Sequence, residues 1–160
     1  PLGVESGYVE NEAMTASSNW DAEHMAWRGR LNMASQGSFI GAWSARVNDA
    51  NQWLQVDLGR SSRVTAVETQ GRQDYDQWVK TFTLSFSNQG AQFITYRIAG
   101  LVKVLTDNDL QTFTGNSNRN SVVRNAVSPA IEARFVRIHP KSWHNHVSMR
   151  VELIGCFMGT

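Results

Sequence analysis

Apolar and polar side chains alternate residue by residue in two stretches of this chain, and that period of two constrains the fold more than any other sequence feature. Leu54, Val56 and Leu58 interleave with Trp53, Gln55 and Asp57, and Phe82, Leu84 and Phe86 interleave with Thr81, Thr83 and Ser85. Successive side chains on an extended backbone point to opposite faces, so each stretch reads as a half-buried strand. Further strands are expected at residues 63–69, 92–97, 121–127, 133–139 and 147–154, with turn chemistry such as Ser87-Asn88-Gln89-Gly90 between them. Many short strands at this spacing predict an all-β sandwich or barrel. The best competing helix, residues 21–32, is rich in Ala, Met and Arg, but Gly29 interrupts it and its apolar spacing is irregular. It reads as a long loop.

A chain of 160 residues fits one core, and such a length buries about two-thirds of the surface its unfolded form exposes. Hydrophobic residues make up 41% and charged residues 18%, with six Trp and seven Phe spread along the length, which excludes a disordered segment. The net charge of +1 offers no field for phosphate backbones, so nucleic acid is not an expected partner. No apolar run approaches the roughly 20 residues of a membrane-spanning helix. Residues 1–10 lack the basic start and apolar stretch of a secretion signal, so the expectation is a processed chain or an excised domain. With Pro1, Pro129 and Pro140 scattered and no linker visible, the chain is read as one domain over residues 1–156 with a tail at 157–160. The single cysteine, Cys156, has no internal partner: either its partner precedes Pro1, or it is a buried free thiol.

Three groups of motifs, taken in order, resemble the discoidin family, also known as the coagulation factor V/VIII type C family. The first is PLG at 1–3, MTASSNW at 14–20 and RLN at 30–32. The second is GAW at 41–43, QWLQVDLG at 52–59, TQGR at 69–72 and QWV at 77–79. The last is FTGN at 113–116, ARFVRIHP at 133–140, Trp143 and MRVELIGC at 149–156. The resemblance spans essentially the whole chain. It implies an eight-stranded jelly-roll β-barrel or sandwich, with first and last segments side by side and normally joined by a disulfide to which Cys156 supplies the second cysteine. It also implies that loops at one end of the barrel meet the ligand.

By position those loops are residues 19–29, 33–40 and 72–77, and surface loops on a rigid scaffold are the general place for recognition. The first holds Trp20, Met25 and Trp27 among Asp21, Glu23, His24 and Arg28; its aromatic rings either contact ligand or fold back to plug the barrel end. The second lifts Phe39 and Ile40 on the polar turn Ser35-Gln36-Gly37-Ser38, and here too burial and ligand contact both fit. The third, with Arg72, Asp74, Tyr75 and Asp76, offers hydrogen-bonding groups of both kinds and a stacking ring.

Trp143-His144-Asn145-His146 puts two imidazoles at a spacing that faces one side of an extended segment, but no third metal ligand is evident, and a polar loop is the simpler reading. His144 is retained as a ligand contact. Asp107-Asn108-Asp109 is a weak oxygen cluster without the glycine and glutamate of an EF-hand. Some family members bind calcium, so that cofactor stays open and none other is expected. Arg134, Arg137 and Arg150 read as scaffold ion pairs, with Asp57 or Glu152 as partners. No nucleophile elbow, zincin, Walker-type or dinucleotide motif appears, and Asp74 with Asp76 reads as a solvated loop pair rather than a glycosidase dyad.

The function expected is therefore a non-catalytic extracellular recognition or adhesion module that binds a cell-surface or matrix glycan, as part of a larger or multivalent protein. Two alternatives stand beside it. Peripheral binding to phospholipid head groups of the phosphatidylserine type would insert Trp20, Met25, Trp27, Phe39 and Ile40. Collagen or another protein ligand would use the first loop, whose length and Trp position resemble those of collagen-receptor members.

Overall fold

The structure is a computed structural model in which residues 1–98 and 109–159 are described. Within them eight strands form one curled antiparallel sheet: β1 (Met14–Ala16), β2 (Trp43–Ser44), β3 (Leu54–Gln70), β4 (Trp78–Ser87), β5 (Ile94–Thr95), β6 (Phe113–Thr114), β7 (Val123–His144) and β8 (Ser148–Phe157). The 3-10 turns Asn11–Ala13 and Ala26–Arg28 are short helical elements among the described residues, and the expected all-β class and the loop character of residues 21–32 both hold.

Two long strands organise the barrel. The stretches expected at 53–58 and 63–69 are one strand, β3, and those at 121–127 and 133–139 are one strand, β7. Before its bend, β3 pairs Leu54 with Ile138 and Val56 with Val136 on one side, and with β1 on the other. Past the register shift between Asp57 and Ser62, it pairs β7 again and takes β8 as its second neighbour. The bend is made at Gly59, whose φ of +77° suits a residue without Cβ and whose N–H donates to the Asp57 carboxylate at 2.8 Å. Each long strand thus serves both halves of the barrel, β4 to β6 flanking one and β8 and β2 the other.

The inward faces follow the sequence alternation. Leu54, Val56, Phe82, Leu84, Val136 and Ile138 are buried, joined by Trp43, Met149 and Leu153 from β2 and β8. Each such side chain contributes about 1.5–3 kcal/mol by leaving water. Trp43 satisfies its indole N–H on the Ser18 carbonyl at 2.9 Å. Strand β4 departs from the half-buried pattern because Thr83 and Ser85, on its polar face, are buried as well. Ser85 Oγ meets His139 Nε2 at 2.7 Å, and burial, with Lys141 and Arg137 nearby, pushes this imidazole down to about 4. The strand expected at 92–97 shrinks to Ile94–Thr95, while β1, β2 and β6 are too short to carry a periodicity.

Of the three scaffold arginines, Arg134 pairs with Asp57 through two contacts, 2.7 and 2.9 Å. Among the described residues Arg137 makes no ion pair: its guanidinium lies 3.8 Å from the ring centres of both Trp53 and Phe93, and Nε donates to Gln55. Arg150 does not meet Glu152. Its guanidinium donates instead to the carbonyls of Gly71, Met33 and Arg119 and to Asn120 Oδ1, and burial lowers it to about 10. Glu152 is turned to the other end of the chain, beside Leu2, whose N–H donates to the Leu153 carbonyl at 2.8 Å. Cys156 is exposed on β8, which removes the buried-thiol reading.

Candidate functional site

The three loops expected to carry recognition are hydrogen-bonded to one another at one end of the barrel, the end where β3 leads into β4 and β7 turns into β8. The N–H groups of Trp20, Ile40 and Ser44 donate to the carbonyls of Ser44, Glu23 and His24, which joins the first loop to the segment entering β2. The third loop docks on the second: Gln73 N–H donates to the Gly41 carbonyl at 3.0 Å, and Gln73 Oε1 accepts the Ser35 N–H at 2.9 Å. Gly41 is required here, because a Cβ on it would stand 2.6 Å from that of Gln73.

A cleft of about 290 Å³ opens between them, lined by Trp20, His24, Ser44, Arg72, Tyr75, Gln77 and His146. This lies at the small end of the range of about 300–1,000 Å³ usual for small-ligand sites. Trp20 and Tyr75 remain 55% and 57% exposed, so neither ring plugs the barrel. His146 braces Trp20 edge-on, with ring centres 5.4 Å apart. The floor is a directed chain: Ser44 Oγ donates to Ser148 Oγ (2.6 Å), which donates to Gln77 Oε1 (2.9 Å), and the same oxygen accepts from Arg72 (3.1 Å).

Two carboxylates hold two of the nitrogen-bearing side chains of the cleft, Arg72 and His24. Asp74 accepts from Arg72 Nε at 2.8 Å and from the Gly41 N–H at 3.1 Å; burial pulls its carboxyl up, but these donors outweigh it and keep it below the usual carboxylate range. Asp21 accepts from His24 Nδ1 at 2.5 Å and from the Glu23 N–H, and the imidazole contact holds its carboxyl low. Arg72 also lies 5.4 Å from the Tyr75 ring centre, which fixes that ring at the rim.

Beside the cleft is an apolar tip. Phe39 closes a tight turn with Gln36, is 37% exposed and packs on Trp27 at 5.3 Å; Met25 is 40% exposed. Trp27 is half-buried. Arg28, expected as a ligand contact of the first loop, is buried: Nε donates to the Ile40 carbonyl at 2.8 Å and a terminal nitrogen to that of Ala34 at 2.6 Å. It acts as an internal strut for the second loop.

His144 and Asp76 also stand apart from the cleft. His144 ends β7 and the chain then turns towards β8, with Asn145 at a φ of +63°, so the imidazoles of His144 and His146 do not share a face. His144 stacks on Trp78 at 4.2 Å, while His146 lines the cleft with Nε2 donating to the Ala45 carbonyl. Asp76 pairs with Arg119 at 2.7 Å. Ser44, Gln77 and His146 are the lining residues that sequence reasoning left off the ligand-contact set; His146 was signalled only by the His-x-His spacing. Asp107 and Asn108 lie outside the described residues, and Asp109 is buried. Among the described residues no group of three or more His, Cys, Asp or Glu is gathered to hold a metal ion.

The family model of the F5/8 type C domain matches residues 13–153 of this chain. The chain belongs to that family. As an F5/8 type C domain it is 36% identical to lactadherin of Rattus norvegicus over 161 residues, a match covering 98% of this chain and 36% of lactadherin. Coagulation factor V of Sus scrofa is 39% identical over 162 residues, with 98% of this chain and 7% of the relative covered. The domain thus spans about a third or less of these relatives. Recombinant discoidin II of Dictyostelium discoideum superposes with a TM-score of 0.78 at 28% identity, covering 91% of this chain and 56% of that one. The F5/8 type C domain is accordingly a discoidin-type jelly roll, and no helix among its described residues is long and apolar enough to cross a membrane.

Proposed function

We propose that this F5/8 type C domain is a non-catalytic, extracellular recognition module that binds a cell-surface or matrix glycan in the cleft between its three loops. One observation carries the reading: two exposed aromatic rings, Trp20 and Tyr75, line the same small cleft as Arg72, His24, Gln77 and His146. A sugar ring has an apolar C–H face, which stacks on an aromatic face, and an equatorial rim of hydroxyls, which pair with planar polar side chains. The arrangement supplies both halves. The test is retention of the multivalently displayed domain on a glycan array, competed by the soluble sugar and lost in Trp20→Ala at unchanged folding.

A second reading, docking to phospholipid head groups, draws on the exposed tips Met25 and Phe39, which lie outside the cleft lining. Against it, Arg28 beneath that tip has its donors on loop carbonyls, and the carboxylates of Asp21 and Asp74 sit at the cleft. An anionic head group meets more opposition here than an uncharged sugar does.

A further inference from the structure

Val136 and Ile138 face the core of the barrel, so Arg137 between them faces outward on β7, where it is half-buried. Its guanidinium carbon lies 3.8 Å from the ring centres of both Trp53 and Phe93. At that distance a ring lies flat against the guanidinium plane, because an approach along the plane would run into a nitrogen. The two rings therefore take one face each. Nε donates to Gln55 Oε1 at 2.8 Å, which fixes the plane between the rings. Two terminal nitrogens remain. Among the described residues neither meets a protein acceptor, and neither is sealed from solvent.

The charge around this fork is positive. Asp57 on the paired strand β3 is taken by Arg134 through both its oxygens. Lys141, further along β7, donates to the Ala50 carbonyl and makes no ion pair among the described residues. Lys141 and Arg137 both act on His139, which places the two cations on one flank. A guanidinium held this way has one orientation before any ligand arrives, and it keeps two parallel N–H groups that match the two oxygens of a carboxylate end-on. Its surroundings are apolar: the rings of Trp53 and Phe93 enclose it, and Ile94, next to Phe93, is 64% exposed. A sulfate on a glycan would bring hydroxyls against those side chains, whereas a peptide presents a carboxylate among apolar neighbours. The flank is separate from the cleft. From Arg137 to His144, where β7 ends beside the recognition loops, the strand runs on the order of 20 Å at about 3.3 Å per residue.

We propose that this flank is a second, protein-binding surface of the domain, where Arg137 takes end-on the carboxylate of a glutamate or aspartate side chain on a partner segment whose apolar neighbours pack on Phe93 and Ile94. Such a surface works whatever the cleft binds. The probe is a blocked peptide of alternating leucine and glutamate, added up to millimolar concentration to the isotope-labelled domain and followed by NMR. Beside it stand the same peptide with glutamine for glutamate, and a sulfated disaccharide. The glutamate peptide is expected to move the side-chain N–H signals of Arg137, Gln55 and Trp53, and to bind at least about tenfold more tightly than the glutamine one. Its affinity for Trp20→Ala, which alters the cleft, stays unchanged. Arg137→Lys keeps the charge and loses the fork, so its affinity for the glutamate peptide falls at least about fivefold, near-ultraviolet circular dichroism confirming the fold. Equal binding of the two peptides, signals that move only at the cleft, or full affinity in Arg137→Lys overturns the proposal. Arg137 signals that answer the sulfated disaccharide alone overturn it too, and make the flank a glycan site. Should Arg137→Lys unfold, the signals of the native domain with the two peptides still decide.

Discussion

The buried carboxylate of Glu152 accepts a hydrogen bond from the backbone N–H of Val4 at 3.0 Å. Its second oxygen takes the N–H of Glu5 at 2.9 Å, and the first also takes the N–H of Leu153. One side chain on the last strand thus binds the beginning of the chain with no covalent link. Glu152→Gln swaps an oxygen acceptor for an NH₂ donor facing those N–H groups. We expect a loss of about 1–3 kcal/mol for each N–H left stranded, read as a lower urea midpoint. An unchanged midpoint contradicts the clamp.

Arg28 should act on binding only through structure. Arg28→Met keeps the aliphatic stem and strands the carbonyls of Ile40 and Ala34. The expected cost is about 2–3 kcal/mol of stability, accompanied by weaker ligand retention as the second loop loosens under Gly41 and Asp74. Lost binding at full thermal stability would instead make Arg28 a direct ligand contact.

His139, inside the barrel, gives the fold an acid sensitivity. Its folded-state value near 4 lies below the ordinary 6.5, so between these limits the unfolded chain binds a proton that the native chain does not. This contribution is fully present above about pH 6.5 and is lost as the pH falls towards 4, to a total on the order of 3 kcal/mol. His139→Gln, which retains a polar group for Ser85, should flatten the fall in unfolding free energy across that window. An equally steep fall in the variant would place the sensitivity elsewhere.

Sequence reasoning reached the inward faces of the barrel because burial imposes a strict period: Leu54, Val56 and Leu58 on β3 needed no partner to be identified. It divided β3 in two because the bend at Gly59 looks locally like a turn, and only pairing with β7 on both sides of the bend makes the strand continuous. The loops were located, and Trp20, His24, Arg72 and Tyr75 do line one cleft. What was not legible was orientation. Nothing local distinguishes Arg28, directed inward onto two carbonyls, from Arg72, directed into the cleft. The left-handed Asn145 that separates His144 from His146 leaves no periodic trace.

Removing the rings at the rim should leave the fold intact, since Trp20 and Tyr75 are more than half exposed. Trp20→Ala and Tyr75→Ala are each expected to shift stability by less than about 0.5 kcal/mol while reducing ligand retention at least about tenfold, measured by thermal unfolding beside a binding assay. A large drop in melting temperature would show that the rings serve packing rather than recognition.

The most direct test of the central claim presents the multivalent domain, in parallel, to a glycan array and to phosphatidylserine liposomes, with Trp20→Ala and Phe39→Ala as controls. The account predicts array hits abolished by Trp20→Ala and retained by Phe39→Ala, with little liposome binding. Liposome binding abolished by Phe39→Ala, with an array free of hits, would contradict it and make this end of the barrel a membrane-docking surface.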